Sequence, residues 1–266
     1  METTGENLFQ VKKERSYISC LLNGCGYGFK NLGMLLRYIW PSLVLTIILP
    51  LPFIIFFYAQ VDAILRKWTE LGYLPNVTLK TMRDDIGKCA SRSALALLLD
   101  ILMIPVLVAG LAGLALPMIL GWKYIWSVLI FLLVFVLAFG MIVVLMQIRY
   151  SYTPLKECFC SGFRLAYRNF GSLFAFEFLG SLLGGIIIFL GSIPNQVISS
   201  AAMQAYRGWQ MGDVLDLPAL FPLYVILAMI ISAAVLWITY MVFSFSNCLM
   251  WGNLVNEVPA ETEANS

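Results

Sequence analysis

Histidine is absent from all 266 residues. That zero removes His-ligated haem, His-cluster di-iron sites, His-ligated zinc and any Ser-His-Asp triad. Charge is scarce too: 12% of residues are charged, while 61% are hydrophobic. A soluble domain is about half apolar and about one quarter charged. A chain of this length has too little interior to hide so much apolar surface, so lipid is its expected solvent. The six cysteines (Cys20, Cys25, Cys89, Cys158, Cys160 and Cys248) form no CxxC pair and no evenly spaced framework. They read as small apolar residues of a membrane interior. No site for a metal or cofactor is expected, and no partner among nucleic acids.

What the sequence does contain is long hydrophobic runs. A helix needs about 20 apolar residues to cross a bilayer core. Five segments qualify: Ile39 to Ala59, Ala94 to Leu116, Ile125 to Met146, Gly171 to Ile193 and Pro222 to Ser246. The residues before Ile39 hold no signal-peptide core, so the first segment is expected to be retained. The prediction is an all-α polytopic membrane protein with four to six crossings, in one membrane domain over residues 1–256. A short acidic tail, 257–266, is expected to be disordered.

The first segment is ambiguous. Pro41, Pro50 and Pro52 interrupt it, and the last two are able to bend it into a re-entrant hairpin. Cytoplasmic loops should hold the Lys and Arg. If all five segments cross, the 17 cations divide almost evenly between the two faces. If the first turns back, all but Lys123 and Arg207 share one face. Length favours crossing and charge favours turning back; both models stand at this point.

A motif occurs twice. It reads C-x3-G-x5-[KR]-N-[LF]-G-x-L, with Cys20, Gly24, Lys30, Asn31 and Gly33 in the first copy. Cys158, Gly162, Arg168, Asn169 and Gly171 occupy the second. The copies belong to repeat units of about 16–59 and 154–193. Within them Tyr17, Leu21, Cys25 and Phe29 recur every four residues, as do Leu155, Phe159, Phe163 and Tyr167. Such rows form one helical face. Lys156 and Arg164 add charge beside the second row. The expectation is two basic amphipathic helices lying in the headgroup layer, each turned into the bilayer by its Asn-Gly pair. Membrane lipids, with anionic headgroups, are the expected partners. The oligomeric state is left open.

In this arrangement the chain resembles a loose group of bacterial polytopic membrane proteins. It is similar to the membrane domain attached to some glycerophosphodiester phosphodiesterases. Those chains also place a basic amphipathic stretch ending in [KR]-N-x-[GW] before membrane spans. The resemblance implies a helical domain in a bacterial inner membrane. It implies no activity, because the catalytic barrel of those enzymes has no counterpart here.

Three charges stand in or beside apolar runs: Asp100, Glu177 and Arg37. A charge at mid-bilayer costs about 2.5–3.5 kcal/mol on insertion scales, so these are the candidates for an intramembrane polar site. Asp100 is expected to be protonated, or paired with Lys88 or Arg92. Gly180 with Gly184, and Ala109 with Gly113, form small-residue faces suited to helix packing. Gly24-x-Gly26-x-Gly28 follows no strand and is rejected as a nucleotide loop. The functional expectation is a non-enzymatic membrane protein associated with lipid or envelope. A small transporter and a lipid-modifying enzyme are the alternatives.

Overall fold

A computed structural model describes residues 16–48, 50–74, 78–120, 124–151, 153–212 and 217–256. The acidic tail lies outside the described residues, as do the side chains of Ala109 and Gly113. Eight helices make up the described chain. They are α1 (Tyr17–Lys30), α2 (Leu32–Ile48), α3 (Pro50–Leu71) and α4 (Arg83–Leu120). After them come α5 (Tyr124–Tyr150), α6 (Leu155–Arg168), α7 (Phe170–Gln210) and α8 (Phe221–Asn256). The chain is therefore all-α among its described residues. Four helices are long and apolar enough to cross a membrane: Arg83–Val106 in α4, Val128–Tyr150 in α5, and nearly all of α7 and α8. This is an integral membrane protein.

The first apolar segment turns back. α2 ends at Ile48, and α3 begins at Pro50, a residue suited to the first position of a helix because it has no N–H to leave orphaned. Ser42 in α2 hydrogen-bonds Gln60 in α3, and both are fully buried. A continuous helix would hold those two residues about 27 Å apart. α2 and α3 thus form an antiparallel hairpin, and Ile39 to Ala59 is not one crossing.

The rest of the hairpin ties several helix ends together. α3 ends at Leu71, where Gly72 takes a φ of 73° and its N–H reaches the carbonyl of Trp68. Lys67 pairs with Asp85 at 3.3 Å, joining the end of α3 to the start of α4. Arg66 donates from Nε to the carbonyl of Arg149 at 2.6 Å, joining it to the end of α5. Cys20 accepts from Asn253 at 3.0 Å, joining α1 to the end of α8. With the hairpin turned back, the order of crossings assigns every described Lys and Arg except Arg207 to the end of the bundle where these contacts lie.

Burial is uneven along the bundle. The largest buried side chains, among them Tyr38, Phe57, Ile64, Ile148 and Phe245, cluster toward that cationic end. Large apolar side chains are exposed over 98–108, 128–137, 174–193 and 220–236, which is the surface a bilayer covers. α3 continues through Ala63 to Leu71, a polar stretch expected to be helical, and α7 runs past Pro194 to Gln210, a stretch expected as a loop. Pro194 removes one backbone donor, yet the helix is supported from α8, where Ser232 donates to the Gly191 carbonyl at 3.1 Å.

The twin motif helices dock on other helices. Ser246 of α8 donates to the Leu21 carbonyl at 3.0 Å, and its Cα would stand 2.4 Å from a Cβ added at Gly24. Gly28 packs on Val242. α1 therefore lies antiparallel along α8. In the second copy a Cβ at Gly162 would come within 2.9 Å of the Val144 Cα, and Ser161 donates to Gln147 at 2.8 Å. α6 lies antiparallel along α5. The buried residues are Cys20, Leu21, Gly24 and Gly28 in α1, and Cys158, Gly162, Leu165 and Ala166 in α6. Of the rows of large apolar residues, Leu21 is buried, while Phe29, Leu155 and Tyr167 are exposed, free to face lipid. Small side chains take the docked face because they alone let two backbones approach. Asn31 and Asn169 each end a helix, with φ of −101° and −111°, and the next helix starts at once. Gly33 and Gly171 lie inside those next helices with open space around them.

Candidate functional site

Two polar features stand out inside an otherwise apolar molecule. The first is a charged knot between α3, α4, α5 and α8. Arg149 is at its centre. Its Nη2 pairs with Asp100 at 2.5 Å, its Nη1 donates to the Tyr240 hydroxyl at 3.0 Å, and its guanidinium stands 5.1 Å from the Tyr58 ring. Asp62, 1% exposed, accepts from Ser93 Oγ at 2.5 Å. The partner expected for Asp100 was Lys88 or Arg92, its neighbours in sequence. Both are engaged elsewhere. Lys88 lies 4.0 Å from Asp85. Arg92 donates to the carbonyls of Ser151 and Thr153, at 2.5 and 2.9 Å. Arg66 and Arg92 thus donate to carbonyls at the end of α5 and just beyond it, where a helix leaves carbonyls without donors.

The second feature is a cleft of about 770 Å³ between α3 and α4 on one side and α7 and α8 on the other. Ile54, Leu97 and Ile101 line the first wall, and Ile188, Leu236 and Phe243 line the second. Gly180, Gly184 and Gly185 shape its floor. The expected role of Gly180 and Gly184 was close helix packing. A Cβ at either would sit 3.8 Å or more from its neighbours, so the two helices do not close on these glycines. Tight approach occurs about two and three turns further on, at Gly191, where a Cβ would stand 2.4 Å from Val235 Cγ1. The glycines at 180–185 leave room, and that room is the cleft.

Glu177 lines this cleft. Its Oε1 is out of contact with solvent and has no hydrogen-bond partner among the described residues. It takes part in none of the three ion pairs found among them. Tyr58, Trp237 and Tyr240 share the cleft wall; the rings of Tyr58 and Tyr240 are 4.7 Å apart.

The three charges singled out in the sequence are therefore separated by role. Asp100 belongs to the charged knot, Glu177 to the cleft, and Arg37 is exposed on α2. No protein-family model, curated protein or solved structure matches the chain. The site is read on its own geometry.

Arg149, Asp62, Arg66 and Tyr240 escaped the sequence reading. Asp62 and Arg66 stood in what read as a mixed-charge loop, and Arg149 stood at the rim of an apolar run. Their one sequence signal was charge flanking tyrosines in a chain poor in charge. Of the motif residues, Cys20 and Cys158 contact Asn253 and Thr153, while Lys30 and Arg168 are exposed beside the helix ends. Cys25 is half-buried, and burial pushes its thiol up, partly offset by its 3.3 Å contact with Ser246. Among the described residues no three acidic or cysteine side chains gather as a metal would require.

Proposed function

We propose that this chain is a non-enzymatic protein of a bacterial inner membrane that acts through lipid, holding one lipid-like molecule in the cleft between α4 and α8. The cleft carries the reading. Its volume of about 770 Å³ falls in the range of ligand pockets, about 300–1,000 Å³. Its walls are aliphatic and aromatic, and its neighbours on the outer surface are the exposed apolar stretches of α4, α7 and α8. An acyl chain is the molecule such a space suits.

The cationic end supports the same reading. Lys30, Arg37, Lys156, Arg164 and Arg168 are all exposed there, and each such cation adds about 1 kcal/mol of attraction to an anionic leaflet. The resemblance to phosphodiesterase membrane domains is in keeping with a role among lipids.

The test is lipid analysis of the protein purified in a neutral detergent. The expected result is about one lipid per chain, from a class enriched over the parent membrane. A lipid complement identical to the bulk membrane, or none after exchange into detergent, contradicts the proposal. A small transporter is the second reading, favoured by the unpartnered Glu177 carboxyl in the cleft. Flux in vesicles carrying the protein, absent from empty ones, would replace the first reading with the second.

A further inference from the structure

We propose that the cleft selects an amphiphile bearing a monovalent alkylammonium group, with the ammonium held at Glu177 and the tail lying along Ile188 and Leu236. This rests on the reading of the cleft as a lipid-like site and specifies its chemistry.

The argument starts from a carboxyl in the wrong place. Glu177 sits on a span, one face of α7 directed into an apolar space, with Oε1 sealed from solvent and unpaired. A buried acceptor without a partner is costly, and a charge is more so. The chain does supply partners to its other acids within the bundle: Asp100 has Arg149, Asp85 has Lys67, and the buried Asp62 has the Ser93 hydroxyl. Glu177 receives none, although Arg149 bonds the hydroxyl of Tyr240, which lines the same cleft. The Tyr240 hydroxyl and the Asp100 carboxylate hold Arg149 in place there.

The surroundings fit one ligand chemistry. Tyr58, Trp237, Tyr240 and Phe243 present aromatic surface to the same space. Aromatic faces and one carboxylate are how proteins hold ammonium groups that carry alkyl substituents. The aliphatic walls accept a chain attached to that group. An anionic amphiphile would bring like charge to Glu177, and a neutral one would leave the carboxylate without a counter-charge. The same headgroup occurs on an ethanolamine or choline lipid and on a free lipophilic cation, so the two sources share one site.

The experiment uses the full chain in neutral detergent, with decyltrimethylammonium as probe and decanol as its neutral, tail-matched control. Calorimetry on the unaltered protein is expected to give saturable binding at one probe per chain. Glu177→Gln should weaken the probe at least about tenfold and leave decanol unchanged, since only the attraction between opposite charges is lost. Gly185→Leu keeps the carboxyl but fills the cleft, because a side chain there meets nothing within 4 Å. It should weaken probe and decanol alike. Thermal unfolding of each variant separates loss of the site from loss of the fold.

Lipids extracted from the unaltered protein and from Glu177→Gln identify the source. An ethanolamine or choline lipid enriched on the first and missing from the second means a membrane lipid. Probe binding without such enrichment means a free cation, and that outcome removes the lipid reading while keeping the site. Equal probe affinity in the unaltered protein and Glu177→Gln, or no saturable binding, overturns the inference.

Discussion

Single residues decide where this chain may be altered. The motif contains four glycines with different duties. Gly24 and Gly162 are pressed against the backbones of α8 and α5, while Gly33 and Gly171 have nothing within 4 Å. Alanine at Gly24 or Gly162 should cost about 1–3 kcal/mol through overpacking. Alanine at Gly33 or Gly171 should be neutral, or gain up to about 1 kcal/mol from helix propensity. Thermal unfolding in detergent checks this: two variants should melt earlier and two should not. Equal effects at all four would mean that the motif is not used for docking. The charged knot gives a second residue-scale expectation. Arg149→Gln leaves Asp100 without its cation and removes the donor to Tyr240, at a cost of about 3–5 kcal/mol. Asp100→Asn should cost less, because the Asp100 side chain is 39% exposed and Arg149 keeps its other contacts. The double variant should be less damaged than the two losses combined. Simple additivity would show that the pair is not coupled.

At the scale of elements, the sequence was informative where one physical term dominates. Long uncharged runs have no stable home outside a bilayer, so α5 and α8 were evident from composition and length alone. The first segment was not, because its length and its prolines oppose each other. Pro50 resolves the conflict by ending one helix and opening another, and the Ser42–Gln60 contact closes the hairpin. The helicity of α7 beyond Pro194 was hidden for a related reason. A proline predicts a break only if no neighbour supports the strand of helix around it, and here α8 does. Hydrophobic periodicity marked the large apolar rows of α1 and α6 but not what docks on the neighbouring helix; there small side chains allow the closer fit, so Cys-x3-Gly is the row against protein. The cleft itself was illegible. It joins residues of four helices, and its glycines look like packing glycines until the distance to Phe243 is known. Glu177 was visible as a charge in an apolar run, but its lack of a partner is a property of the fold.

For the whole molecule, the hairpin sets the topology. With α2 and α3 turning back, four long helices cross, and the start of α1, the loop after α3, α6 and the end of α8 share one face. That face holds nearly all the positive charge, as the distribution of Lys and Arg demands of a cytoplasmic side. The two docked helices, α1 on α8 and α6 on α5, each bring a motif from one half of the chain to a long helix of the other or its own half, so the bundle is closed at this end. The opposite end is more thinly packed and carries the α7–α8 extension. The most direct measurement of this arrangement is sidedness by single cysteines in a background whose six native cysteines are replaced. Asn23→Cys in α1, Lys80→Cys after α3 and Cys160, restored in α6, are all exposed, and Met211→Cys is exposed at the far end of α7. A membrane-impermeant thiol reagent is applied to intact cells and to inverted vesicles. The hairpin predicts that positions 23, 80 and 160 react together in inverted vesicles only, and that position 211 reacts in intact cells. Labelling of positions 23 and 80 from opposite sides would contradict it, because Ile39 to Ala59 would then cross the membrane.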